Sequence, residues 1–181
     1  MSNRFLDKQY DGSSFGAPQI SHEYGENFVL LFDPLMLTQL AVLSSPEYRQ
    51  PEFNQRIIYL YENLLAMSLN SILKAKDDAI DTRMQGYKWS GPQLDGSFIT
   101  VAVARAGNLP SSVVFDRLSF LFGVKKVSQD HLFMNRKFDE QHRFLGIDFS
   151  GSKPSSASLD VDYIFIPDPM GATGSTIESV V

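Results

Sequence analysis

Cysteine is absent from the chain. Disulfide stapling, thiolate metal sites and a cysteine nucleophile are therefore excluded. Histidine is scarce: His22, His131 and His142 are scattered, and no two stand four residues apart, the spacing that sets two imidazoles on one helical face. Each is expected at the surface or satisfied in the core. No apolar run approaches the roughly 18 to 20 residues that a membrane-spanning helix needs. The opening, Met1 to Lys8, has neither the apolar centre of a secretory signal nor the Arg- and Ser-rich, acid-poor character of a transit peptide. A cytoplasmic protein without a membrane partner is the expectation. Cationic excess is lacking too: 16 Lys and Arg against 21 Asp and Glu leave a net charge of -5 and a pI near 5.1. That argues against a globally basic nucleic-acid binder, while leaving room for a local cationic pocket.

What is present is core material. The 181 residues are 43% apolar and 12% aromatic, with 14 Phe, which suits one compact domain. Residues 1–27 read as a flexible, polar arm, and 28–181 as the domain. Phe28 to Phe32 reads as a strand or extended segment closed by Asp33-Pro34, and Leu35 to Leu43 as a short helix broken by Ser44-Ser45-Pro46. The clearest helix runs from Pro51 to about Lys76, with Phe53, Ile57, Leu60, Leu64 and Met67 on one face. Lys74 and Lys76 suit its C-terminal dipole. Asp77, Asp78 and Asp81 read as a solvated charge run, and Trp89-Ser90-Gly91-Pro92 as a turn.

Phe98 to Ala104 is apolar on both faces, as in a central parallel strand covered by helices. A helix near Pro110 follows, with Val114, Leu118, Leu121 and Phe122 inward and Gly123 as its stop. Val127 to Met134 is a strand, Arg143 to Ile147 a weaker one, and Gly151 to Ser156 a loop. Val161 to Ile166 is a second buried strand, and Ile177 to Val181 begins a helix. Alternating strands and helices give an α/β fold with a parallel sheet, whose ligands sit outside the carboxyl ends of the strands.

Two loops fall at such ends. After the second buried strand come Asp168 and then the small residues Gly171, Ala172, Thr173, Gly174, Ser175 and Thr176. Exposed N–H groups at a helix start, with about half a positive charge, suit a phosphomonoester. A Ser- or Thr-capped strand-to-helix turn explains the same residues equally well. The loop is not a Walker loop, because no Lys follows the glycine. The earlier loop is Arg105-Ala106-Gly107. A buried strand ending in Arg offers a fork of donors to phosphate oxygens; a salt bridge to a surface carboxylate is the plainer account. Side by side, the two loops would suit a ribose carrying phosphates at both ends.

Ile164-Phe165-Ile166-Pro167-Asp168-Pro169-Met170-Gly171-Ala172-Thr173-Gly174-Ser175 resembles the phosphoribosyl pyrophosphate loop of uracil phosphoribosyltransferases. Val103-Ala104-Arg105-Ala106-Gly107 is similar to that family's Leu-Arg-Ala-Gly pyrophosphate loop. Arg136 lies where the family has Arg-Asp-Glu-Glu, and Asp33-Pro34-Leu35 resembles its His-Pro-Leu segment. The resemblance runs from about residue 28 to 181.

It implies a phosphoribosyltransferase-like, Rossmann-like fold with an N-terminal helical or extended arm. The implied reaction converts uracil and phosphoribosyl pyrophosphate to UMP and pyrophosphate. Gly171 to Thr176 would hold the 5'-phosphate, with Pro169 and Met170 in the same loop, and Asp168 the ribose hydroxyls. Arg105, with Ala106 and Gly107, and Arg136 would take the pyrophosphate. Asp168 and Arg105 would be the catalytic pair. Mg2+ would ride on the pyrophosphate rather than on dedicated protein ligands, and the assembly would be a homodimer or higher oligomer. Four departures stand out: Gly171 replaces a Leu, Asn108-Leu109-Pro110 replaces a Gly-containing stretch, Lys137-Phe138 displaces the acidic pair Asp139-Glu140, and no uracil-reading segment follows the loop. Gly171, the displaced acidic pair and the missing uracil-reading segment allow a sensor or structural homologue without catalysis, and a different base is a further option.

Overall fold

A computed structural model describes residues 15–47, 49–141, 144–153 and 160–170. Its first helix, α1 (Pro34–Leu43), starts one residue before the expected Leu35: Pro34 needs no donor, and the Asp33 carboxylate accepts from the Met36 N–H at 2.9 Å. Before it, the chain folds back on itself. Gln19 bridges Leu31, and the Ile20 N–H donates to the Leu30 carbonyl at 2.8 Å. His22, Tyr24 and Phe28 cluster at the turn.

The second helix, α2 (Glu52–Ile72), ends before Lys74 and Lys76, so its last turn holds no basic residue. Its buried residues are Ile57, as expected, with Leu65 and Leu69, which lie beside the rest of the expected stripe. Phe53 and Leu64 are exposed. Leu64 and Met67 instead line a small cavity of about 150 Å³ together with Val29 and Leu31. The helix thus has two apolar neighbours, and periodicity alone does not say which one is the core.

Where a charge run and a turn were expected, strands β1 (Lys76–Asp81) and β2 (Lys88–Gln93) form an antiparallel hairpin. Every β1 residue is exposed. Ile80 pairs with Trp89, Lys88 with Asp81 (3.3 Å), and Gly86 takes a φ of 80° in the turn.

The main sheet has the order β5-β4-β3-β6. Strand β3 (Phe98–Ala104) is central and parallel to both neighbours, β4 (Val127–Phe138) and β6 (Tyr163–Phe165). Strand β5 (Phe144–Lys153) runs antiparallel to β4, so Gly151 to Lys153 is strand rather than loop. Strand β6 is shorter and more open than expected: Ile164 is 61% exposed. Between β3 and β4 lies α3 (Asn108–Phe122), which starts two residues before Pro110. Val114 and Leu118 are buried as expected, whereas Leu121 is exposed. The core joins Leu65, Leu69 and Leu73 to Phe98, Val114, Leu118 and Val127. Arg117 of α3 is ion-paired with Glu62 of α2.

At the start of β3 two acids close the sheet. Asp162 accepts from both the N–H and the hydroxyl of Ser97, at 2.9 and 2.8 Å, and these bonds hold its carboxyl below the usual value of 3.8. A side-chain hydrogen bond from Lys126, then the Gly96 N–H, does the same for Asp95. A carboxylate with a lowered folded pKa stabilises the fold above its unfolded pKa, and loses that effect as pH falls through the folded value. Asp162→Asn should therefore lower Tm at neutral pH, and its difference from wild type should shrink as pH drops below 3.8. A difference that persists to the acid limit removes this role.

Candidate functional site

The chain leaves β3 through α3 to pair β4 on one side, and later returns to pair β6 on the other. The carboxyl ends of β3 and β6 therefore flank a topological switch point, the usual place for a ligand crevice in an α/β sheet. The two loops singled out in the sequence emerge there. Their proximity has a specific cause. Gly107 is buried, and a Cβ on it would stand 2.8 Å from the Val103 carbonyl oxygen and 3.0 Å from that of Pro167. Only a residue without a side chain lets the backbone after β3 lie against the residue preceding Asp168. The Gly107 N–H donates to the Val103 carbonyl at 3.0 Å, the Asn108 N–H donates to the Arg105 carbonyl at 3.2 Å, and the Ala104–Arg105 peptide is cis.

Arg105 and Ala106 are exposed at this edge, and Arg105 makes no ion pair among the described residues. Asp168 is half-buried, and its carboxylate accepts from the Met170 N–H at 3.0 Å, which turns the chain after β6. Pro169 is half-buried and Met170 exposed.

Asp168 also borders a cavity of about 230 Å³ between α2, α3 and the end of β6, with Tyr61, Leu64, Leu65, Ser68, Val114 and Phe165 among its walls. Burial, and then the negative charge of Asp168, push the Tyr61 phenol up to about 12. Tyr61 therefore stays protonated at working pH and can only be a neutral donor or acceptor. Sequence reasoning missed it. The available signal is that Tyr61, Leu64, Leu65 and Ser68 share one helical face, so two hydroxyls interrupt an apolar stripe.

Arg136 occupies a backbone position in β4 opposite Ile147 of β5, three residues past Phe133, which pairs with Ala104. It lies on the strand beside the Arg105 loop, beyond the end of β3. Asp139 accepts from the Gln141 N–H at 2.9 Å where β4 gives way to the connection to β5. Gly171, Ala172, Thr173, Gly174, Ser175 and Thr176, and the expected helix after them, lie outside the described residues, as does His142. No group of three His, Asp or Glu is placed to hold a metal among the described residues. Nor is any described helix long and apolar enough to cross a membrane.

These features define an α/β protein with a parallel three-stranded core, an antiparallel edge strand and two loops meeting at the switch point. The chain matches no family model and no curated protein. Its structure is similar to that of the AQ2163 protein from Aquifex aeolicus, with a TM-score of 0.62 and 19% identity. The similarity covers 83% of this chain and 65% of that one. At this identity the likeness speaks for the fold alone.

Proposed function

We propose that the switch-point crevice binds a phosphoribosyl pyrophosphate-type substrate and that the chain acts as a uracil phosphoribosyltransferase. The observation that carries this reading is the contact of Gly107 with the Pro167 carbonyl. It sets a loop bearing an exposed Arg105, without an ion pair among the described residues, beside a loop bearing Asp168. A ribose hydroxyl would donate to Asp168 while the pyrophosphate, carrying Mg2+ as part of the substrate, would meet the guanidinium of Arg105. Arg136 is offered as a second pyrophosphate cation, and Gly171 to Thr176 as the 5'-phosphate cradle, on resemblance alone. Catalysis would come from positioning the anomeric carbon and from neutralising charge on the departing pyrophosphate.

Uracil-dependent release of pyrophosphate with Mg2+ tests the reading. Asp168→Asn and Arg105→Ala should each lower kcat/KM tenfold or more, at least about 1.4 kcal/mol. Wild-type rates in both variants would remove these residues from the mechanism.

A second reading, a nucleotide sensor or a structural subunit of a larger assembly, is favoured by Asp139. Lys137-Phe138 separates it from Arg136 in the sequence, and its carboxylate accepts from the Gln141 N–H. Calorimetry separates the two: tight binding without turnover supports the sensor, and turnover excludes it. On either reading the protein would self-associate. The exposed apolar residues Phe28, Val29, Leu35 and Leu40 on the arm and α1 supply the candidate surface.

A further inference from the structure

We infer that Tyr61 is a ligand-binding residue that donates a hydrogen bond to the sugar ring held by Asp168, making the α2 face the third wall of the site. This inference rests on the proposed function and extends it to an element that neither loop motif contains.

Tyr61 and Asp168 line one cavity of about 230 Å³, although 107 positions separate them in the sequence. Leu64, Leu65, Val114 and Phe165 make most of the remaining wall apolar. The Tyr61 hydroxyl has no hydrogen bond to any described residue, whereas Asn63, Ser68, Asn70 and Ser71 of its helix each bond the backbone one turn back, as Ser68 does to Leu64 at 2.8 Å.

A carboxylate accepts and cannot donate, so a sugar hydroxyl bound to Asp168 uses its own hydrogen and leaves its oxygen lone pairs unmet. A neutral phenol beside the carboxylate supplies the complementary donor. A Lys or Arg at this place would neutralise Asp168 as an ion pair and compete with the ligand. A phenol held in its protonated form adds no negative charge against a polyanionic substrate. The apolar remainder of the wall suits the C–H face of a furanose ring. The site therefore fits a pentose with free ring hydroxyls in preference to a deoxy sugar.

The test uses the whole chain and three probes: ribose 5-phosphate, 2-deoxyribose 5-phosphate and 3-deoxyribose 5-phosphate. Tyr61→Phe removes one oxygen and keeps the ring that packs against the core, and a thermal scan checks that the fold survives. Wild-type protein should bind ribose 5-phosphate at least tenfold more tightly than one of the deoxy probes. Tyr61→Phe should weaken ribose 5-phosphate about tenfold, close to 1.4 kcal/mol, and leave that same deoxy probe unchanged. A purely structural Tyr61 would weaken all three probes alike, and that result overturns the inference while the proposed function stands. Unchanged binding of all three does the same. If wild-type protein binds neither ribose 5-phosphate nor phosphoribosyl pyrophosphate, the proposed function fails and this inference fails with it.

Discussion

Phe98→Ala is expected to destabilise the protein by about 3–5 kcal/mol, the range for emptying a fully buried aromatic site. Phe98 has no exposed surface. Its ring lies 4.8 Å from Phe122, 5.8 Å from Tyr163 and 6.1 Å from Phe165. Those partners come from α3 and β6, so one side chain ties the central strand to a helix and to the neighbouring short strand. Pairing between β3 and β6 spans only Phe98 to Thr100, and ring packing there supplements a brief ladder of hydrogen bonds. Since small domains are stable by only about 5–15 kcal/mol, the loss is a large share of the total. Urea denaturation measures it. Phe120→Ala serves as the control: it lies on α3 and is 80% exposed, so it should change stability by no more than about 0.5 kcal/mol. A Phe98→Ala effect as small as the control's would mean that this cluster does not hold β6 in place.

Gly107→Ala should act on stability and on ligand binding together. The added methyl would face two carbonyl oxygens, of Val103 and Pro167, at 2.8 and 3.0 Å. Both belong to backbone, so no flexible side chain can yield: the turn after β3 must shift on Val103, and its contact with Pro167 must open. Overpacking of this kind costs about 1–3 kcal/mol. The displaced pair is also the pair proposed to hold the two ends of one substrate. Affinity for phosphoribosyl pyrophosphate should therefore fall at least tenfold, well beyond what a surface substitution does. Gly16→Ala is the comparison, because a Cβ there meets nothing within 4 Å among the described residues. Calorimetry and a thermal scan on both variants give the answer. Unchanged affinity in a destabilised Gly107→Ala would separate the loop contact from the binding site.

The strongest local signals carried over into structure. Phe98 to Ala104 is a strand with the expected bounds, because a run that is apolar on both faces has one favourable place, the middle of a sheet. Asp33-Pro34 starts α1, since a carboxylate acceptor and a residue without an N–H satisfy a helix N-terminus from within the sequence itself. Gly123 ends α3 with a φ of 90°. Other segments did not declare themselves. The β1–β2 hairpin carries Lys76, Asp77, Asp78 and Asp81, and no alternation of apolar residues announces it. Its strands exist because each satisfies the other's backbone. Leu121 followed the helical period and still faces outward, because α3 has a narrower covered face than its apolar content suggests.

For the candidate site, Arg105, Gly107 and Asp168 were legible as residue types at strand ends. A fixed charge, a missing side chain and an acid after a buried strand are each visible in one dimension. Sequence by itself determined the α/β class, the central strand, and the chemistry that the two loops are able to offer. Tertiary structure alone decided that those loops touch through Gly107 and Pro167, and that Tyr61 shares a cavity with Asp168. The reason is physical: both juxtapositions depend on β6 pairing with β3 instead of β4 and on which face of α2 meets the core. Those choices are made by packing between segments far apart in the chain, which no local pattern records.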